Sequence, residues 1–120
     1  MIKSIKFVRV PTVHQSRAVA FWTQKFGFTV ASDQPYDDSR RWVELRIPGG
    51  DTRLVLFRSQ APMAMEKITY IAFTADDVER TCAELKAKGV EFEGPVEHAD
   101  WGSSATFMDS EGNTFVISSQ

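Results

Sequence analysis

Apolar and polar positions alternate in short runs along this chain, and the runs recur in the same order twice. Val8 and Val10 alternate with Lys6 and Arg9 in a strand that Pro11 ends. Ala18, Val19, Trp22 and Phe26 then fall at helical spacing, which predicts a helix from about Ser16 to Phe26 with Gly27 as its stop. Phe28 to Ala31 reads as a strand, and the segment 32–39, rich in Asp, Ser and Pro, reads as a turn. Arg41 to Ile47 alternates cleanly, Pro48-Gly49-Gly50-Asp51 makes a hairpin turn, and Thr52 to Arg58 returns as a strand. The unit is β-α-β-β-β.

The second half follows the same grammar. Ile68 to Thr74 is a strand, and Asp76 with Glu79 three residues later marks a capped helix start. Val78, Cys82 and Leu85 give that helix its buried face, and Gly89 closes it. Val90 to Glu93 begins a strand; Ser104 to Met108 and Thr114 to Ser118 then form a hairpin over Ser110-Glu111-Gly112-Asn113. Ile5 matches Ile68, Arg17 matches Arg80, Ala20 matches Ala83, and Gly27 matches Gly89 after a one-residue slip. This is an internal duplication, and a site is expected where the two copies face each other. The expected class is α+β: a single domain over residues 1–120, built from two tandem βαβββ modules at about 1–60 and 66–120.

Strand alternation sorts side chains between two faces. One set must meet the helices: Val8, Val10, Val43, Leu45, Leu54, Leu56, Ile71, Phe73, Ala105, Phe107, Phe115 and Ile117. The other mixes rings, a thioether and hydroxyls with one carboxylate, Glu44, and three guanidiniums, Arg9, Arg46 and Arg53, as the lining of a ligand cup does.

Composition narrows the chemistry. A net charge of −2, with Lys and Arg dispersed, gives no general field for nucleic acid. There is no apolar run of about 18 residues and no cleavable leader, so neither a membrane nor export is expected and the cytoplasm is the expected compartment. The single cysteine, Cys82, excludes an intrachain disulfide framework and a thiolate zinc site. No nucleophile elbow, Walker sequence or dinucleotide fingerprint occurs, and no Ser-His or Cys-His pair stands out.

The helix ends at RAVAFW and FGF, the runs RWVEL and PGGDTRLVLF, the segment DDVERTCAELKAKGV and the closing FMDSEGNTFVIS together resemble the vicinal oxygen chelate superfamily of glyoxalase I, bleomycin-resistance proteins and extradiol dioxygenases. The resemblance spans nearly the whole chain and implies a cup-shaped mixed sheet. Its most specific piece is the turn from Phe107 to Phe115, with Ser110 where relatives usually carry proline. Gly112 and Asn113 are expected to serve that turn through positive φ.

Metal-dependent relatives place a His, Glu or Gln at four inward positions. Here those positions are Phe7, Val55 (or Leu54, if the gap falls one residue earlier), Tyr70 and Val116. Hydrocarbon offers a divalent ion no donor and neutral tyrosine a poor one, so no metal and no other cofactor is expected. His14, at the strand-to-helix junction, is expected to cap or face solvent, and His98 to sit in an exposed loop.

The expected function is that of a metal-free binder of an antibiotic or aromatic metabolite, like the bleomycin-resistance proteins. Phe7, Arg9, Trp42, Glu44, Arg46, Val55, Phe57, Tyr70, Trp101 and Val116 are the expected ligand contacts. The resemblance also implies a homodimer. The alternative is a lyase, isomerase or dioxygenase with Glu44 as its base and an arginine stabilising an oxyanion.

Overall fold

The computed structural model describes residues 1–58 and 71–119. The chain divides into two compact units, Met1–Lys67 and Ile68–Gln120.

In the first unit β1 (Phe7–Pro11) leads to α1 (Gln15–Phe26), then β2 (Thr29–Pro35), β3 (Arg41–Arg46) and β4 (Arg53–Phe57). The sheet order is β1-β4-β3-β2, with β1 parallel to β4 and the other pairs antiparallel. Gly27 takes φ 74° and ends α1, and the Phe28 amide donates back to the Trp22 carbonyl at 3.2 Å.

The sheet's helix side buries Val10, Val43, Leu45, Leu54 and Leu56, and α1, packed on β4, answers with Ala18, Phe21 and Trp22. Each buried Val, Leu or Phe among them contributes about 1.5–3 kcal/mol relative to exposure. The buried amide of Gln15 seats the start of α1: Nε2 donates to the Arg41 carbonyl at 2.7 Å and the Leu56 carbonyl at 2.9 Å, and Oε1 accepts the Arg41 amide at 3.2 Å.

One sequence expectation shifts here. The segment 32–35, expected as a turn, extends β2 to Pro35 beyond a bulge between Val30 and Ser32. Because β2 is an edge strand, proline at its end costs no ladder bond to a neighbour. The true turn is 36–40.

The second unit runs β5 (Ala72–Thr74), α2 (Val78–Ala87), β6 (Glu91–Phe92), β7 (Glu97–Ala99), β8 (Gly102–Met108) and β9 (Thr114–Ser118). Its sheet order is β5-β9-β8-β6, with β7 also on β8. In each unit, then, the first strand lies parallel to the last, and the last is joined to its hairpin partner: the duplication read from the sequence is a duplication of topology. Each unit carries one mixed sheet, and the α+β class built from two repeated modules stands as the sequence predicts. Phe107, Phe115, Ile117 and Ala105 are buried beneath Val78, Cys82 and Leu85 of α2, which packs on β8. Phe107 and Phe115 stack with centroids 5.3 Å apart.

Three details differ from the sequence reading. The cap of α2 is Asp77, not Asp76; its carboxylate accepts the Arg80 amide at 3.0 Å. The segment around His98, expected as a loop, forms β7 and pairs with β8 through Ala99↔Gly102 and His98↔Ser103. The closing turn has Gly112 at φ 81°, but no non-glycine residue among those described has positive φ. Asn113 serves the turn by hydrogen bonding instead: Asp109 Oδ1 accepts the amides of Glu111 (2.9 Å) and Asn113 (2.8 Å), and Oδ2 accepts Asn113 Nδ2 at 3.0 Å. Burial nonetheless pushes the Asp109 carboxyl above its ordinary value, against those bonds.

Candidate functional site

The register of the first sheet sets out its face opposite α1 in three rows. Phe7 lies beside Arg53; Arg9 beside Val55, Glu44 and Ser32; Pro11 beside Phe57, with Trp42 and Gln34 continuing the row. Arg46, on the same side of β3, is exposed. Seven of the ten expected ligand contacts therefore share one face: Phe7, Arg9, Trp42, Glu44, Arg46, Val55 and Phe57. Val55 belongs to it and Leu54 does not, because Leu54 pairs with Val8 and Leu45 on the helix side. Val55 has no exposed surface and Phe57 is 9% exposed, so both form the floor of that face. Val116 and Trp101 belong to the second unit, Val116 beside Ala72 and Thr106, and Trp101 exposed at the β7–β8 turn. Tyr70 lies outside the described residues.

Four rings follow one another across the first unit. Phe7 meets Trp42 edge-on at 5.5 Å, Trp42 meets Phe57 at 5.0 Å, and Tyr36 meets Phe57 edge-on at 4.8 Å. Guanidiniums sit against the far end: Arg9 Cζ is 5.7 Å from the Phe57 centroid, and Arg40 Cζ is 4.9 Å from the centroids of both Phe57 and Tyr36.

Tyr36 and Arg40 are members that sequence reasoning missed. They sit on the 36–40 turn, which Asp37 organises: Oδ1 accepts the Ser39 and Arg40 amides at 3.1 and 2.8 Å, while Oδ2 ion-pairs with Arg40 Nη2 at 2.7 Å. The Arg40 hydrogen bond holds the Asp37 carboxyl below its ordinary value. The run Asp37-Asp38-Ser39 is an Asx-turn signal, and reading it would have placed the two flanking side chains together.

Glu44 is the one carboxylate on this face. Its Oε2 accepts the Trp42 indole N–H at 2.8 Å, and its Oε1 accepts Arg53 Nη1 at 3.0 Å. The indole bond, the Arg53 bond and the charges of Arg53 and Lys6 together hold the carboxyl below its ordinary value, despite a side chain only 13% exposed. Glu44 thus forms an ion pair with Arg53.

Each unit carries one histidine. His14 occupies the N-cap of α1 without a side-chain capping bond. His98, on β7, places Nδ1 2.8 Å from Ser103 Oγ and Nε2 2.8 Å from Glu79 Oε1. Cys82 is buried in α2, and burial raises its thiol above the ordinary value.

Known proteins identify the architecture. The family model of the Glyoxalase/Bleomycin resistance protein/Dioxygenase superfamily matches residues 4–117. The chain belongs to this superfamily. It is 36% identical over 118 residues to YetH of Bacillus subtilis (strain 168), covering 98% of each chain. Among solved structures it resembles TnmS3, an antibiotic binding protein from Streptomyces sp. CB03234, at 31% identity and a TM-score of 0.86, covering 98% of this chain and 96% of that one. A glyoxalase/bleomycin resistance protein from the same Streptomyces is 32% identical with a TM-score of 0.81, covering 96% and 99%.

The resemblance places the superfamily's metal ligands at Phe7, Val55, Tyr70 and Val116, and Tyr70 lies outside the described residues. Phe7, Val55 and Val116 at the ligand positions carry no donor atom, and the described residues hold no group of three or more His, Cys, Asp or Glu suited to an ion. No helix among the described residues is long and apolar enough to cross a membrane.

Proposed function

We propose that this superfamily member is a metal-free small-molecule binder that holds a flat aromatic compound, an antibiotic or a metabolite, against the ring-bearing face of its first unit. The observation that carries the reading is the unbroken run Phe7–Trp42–Phe57–Tyr36 with guanidiniums over its far end. Such a run offers a planar ligand stacking partners of about 0.5–1.5 kcal/mol each beyond area burial. The likeness to TnmS3, itself an antibiotic binding protein, supports the same reading. A homodimer and residence in the cytoplasm complete it.

Glu44 weighs against catalysis on this face. A general base works best with a pKa near the operating pH, and the donors from Trp42 and Arg53 move this carboxyl the other way. The group is held as a fixed anion that orients Trp42.

Tryptophan fluorescence titrated with a panel of planar aromatic antibiotics tests the proposal. At least one compound should quench saturably, and Trp42→Ala should weaken that binding. Quenching by none, or quenching indifferent to Trp42→Ala and Trp101→Ala combined, would remove its support. Calorimetric titration with Zn²⁺, Ni²⁺, Mn²⁺ and Fe²⁺ should show no tight stoichiometric binding; a one-to-one complex would overturn the metal-free part alone.

A further inference from the structure

The second unit carries a line of three chemically competent groups drawn from three elements. Glu79 stands in the first turn of α2, His98 on β7, and Ser103 directly opposite His98 on β8. Glu79 Oε1 lies 2.8 Å from His98 Nε2, and Ser103 Oγ lies 2.8 Å from His98 Nδ1. A carboxylate has only acceptors to offer, so in the neutral imidazole the hydrogen sits on Nε2 and points at Glu79. Nδ1 then carries the lone pair, and the Ser103 hydroxyl donates to it. A serine donating to an imidazole whose other nitrogen is held by a carboxylate is the arrangement that makes a hydroxyl nucleophilic.

The mount is firm where it needs to be. The Ser103 amide donates to Ser119 Oγ at 2.8 Å, and the Ser103 carbonyl accepts the Ser119 amide at 2.9 Å, so Ser119 fixes both backbone polar groups of the serine. The approach is open: the side chains of His98 and Glu79 are each 61% exposed. With its amide engaged by Ser119, Ser103 does not supply an oxyanion donor of its own. This confines the chemistry to acyl donors whose leaving group departs without that help.

We propose that Ser103 is an activated nucleophile that accepts an acyl group from activated aryl esters, with His98 as its general base and Glu79 as the positioning residue. The Ser103 Oγ proton passes to His98 Nδ1 as Oγ bonds to the acyl carbon. The carbon–aryloxide bond then breaks, and the phenolate leaves with the proton from His98. The product is an ester on Ser103 and a free phenol, with no change of oxidation state. Hydrolysis of that ester is slow because the Ser103 amide is not available as an oxyanion donor, so the acyl-serine accumulates.

The full-length protein is incubated with p-nitrophenyl acetate, and peptide mapping by mass spectrometry locates and times acetyl addition. Ser103 should acquire one acetyl group at least tenfold faster than the exposed Ser39. His98→Gln should slow that addition about tenfold or more. Glu79→Gln should slow it severalfold, with rescue by Glu79→Asp, which a merely structural contact would not require. Ser103→Ala should abolish the adduct at that peptide. An adduct on Ser103 no faster than on Ser39, or a rate indifferent to His98→Gln in a variant of unchanged circular dichroism, would overturn the proposal. If His98→Gln does not fold, Glu79→Gln with its rescue decides alone.

Discussion

The indole N–H of Trp42 and the Oε2 of Glu44 meet at 2.8 Å across two residues of one strand, while Arg53 on the neighbouring strand holds the other carboxylate oxygen. Side chains two apart on a strand point the same way, so β3 brings this pair together with no help from a loop. The contact fixes the plane of the ring that stands between Phe7 and Phe57.

Glu44→Gln tests what that anion contributes. The folded-state carboxyl titrates below its unfolded value of about 4.3, so its stabilisation is present above that value and is lost as pH falls through the folded pKa. At pH 7 the substitution should cost about 1.5–3 kcal/mol, the scale of hydrogen bonds to a charged group. Urea melts should show that deficit shrinking as pH is lowered from about 5 towards 3. A deficit independent of pH would mean that the charge is immaterial.

Tyr36→Ala removes the exposed ring at the end of the run without disturbing the buried floor. Tyr36 is 58% exposed, so stability should fall by less than about 1 kcal/mol. Affinity for a quenching aromatic should weaken by roughly 2- to 12-fold, the equivalent of one ring pair. Unchanged affinity in fluorescence titration would confine the ligand to Phe7, Trp42 and Phe57.

Much of this was legible because both periods were clean. Alternation assigned Val43 and Leu45 to one side and Trp42 and Glu44 to the other, and the register places them so. The strand Thr114–Ser118 was bounded to the residue. What the sequence withheld was set by contacts rather than by pattern. Ser32 to Pro35 carries turn chemistry, yet it pairs with β3 because that strand has a vacant edge. Glu97 to Ala99 has no strand periodicity over so short a run, and only its pairing with β8 makes it one. The same pairing brought His98 to Ser103, a Ser-His pair with no sequence signal because Glu79 arrives from a different element.

Gln15→Glu probes the seat of α1. The native amide donates to the carbonyls of Arg41 and Leu56, and a carboxylate can donate to neither. Two buried acceptors would lose their partner and face a like partial charge, costing about 2–4 kcal/mol by the scale for unsatisfied buried groups. Urea denaturation at pH 7 followed by circular dichroism reads the loss directly. A change under about 0.5 kcal/mol, the range of an ordinary surface substitution, would show that the seat is dispensable.

Ser110→Pro asks whether the closing turn is better served by the residue its relatives usually carry there. Ser110 is the second residue of a turn closed by the Gly112 amide on the Asp109 carbonyl at 3.3 Å, a position whose φ proline already has. Its Oγ is buried without a hydrogen-bond partner in the structure, so the hydroxyl contributes only a desolvation cost. Proline removes that cost and narrows the unfolded ensemble, and the expected gain is about 0.4–1 kcal/mol. It should appear as a higher urea midpoint with an unchanged slope, since the folded surface is the same. A lower midpoint would show that the Ser110 amide or hydroxyl is needed by the turn, and that the Asp109–Asn113 hydrogen bonds alone do not hold it.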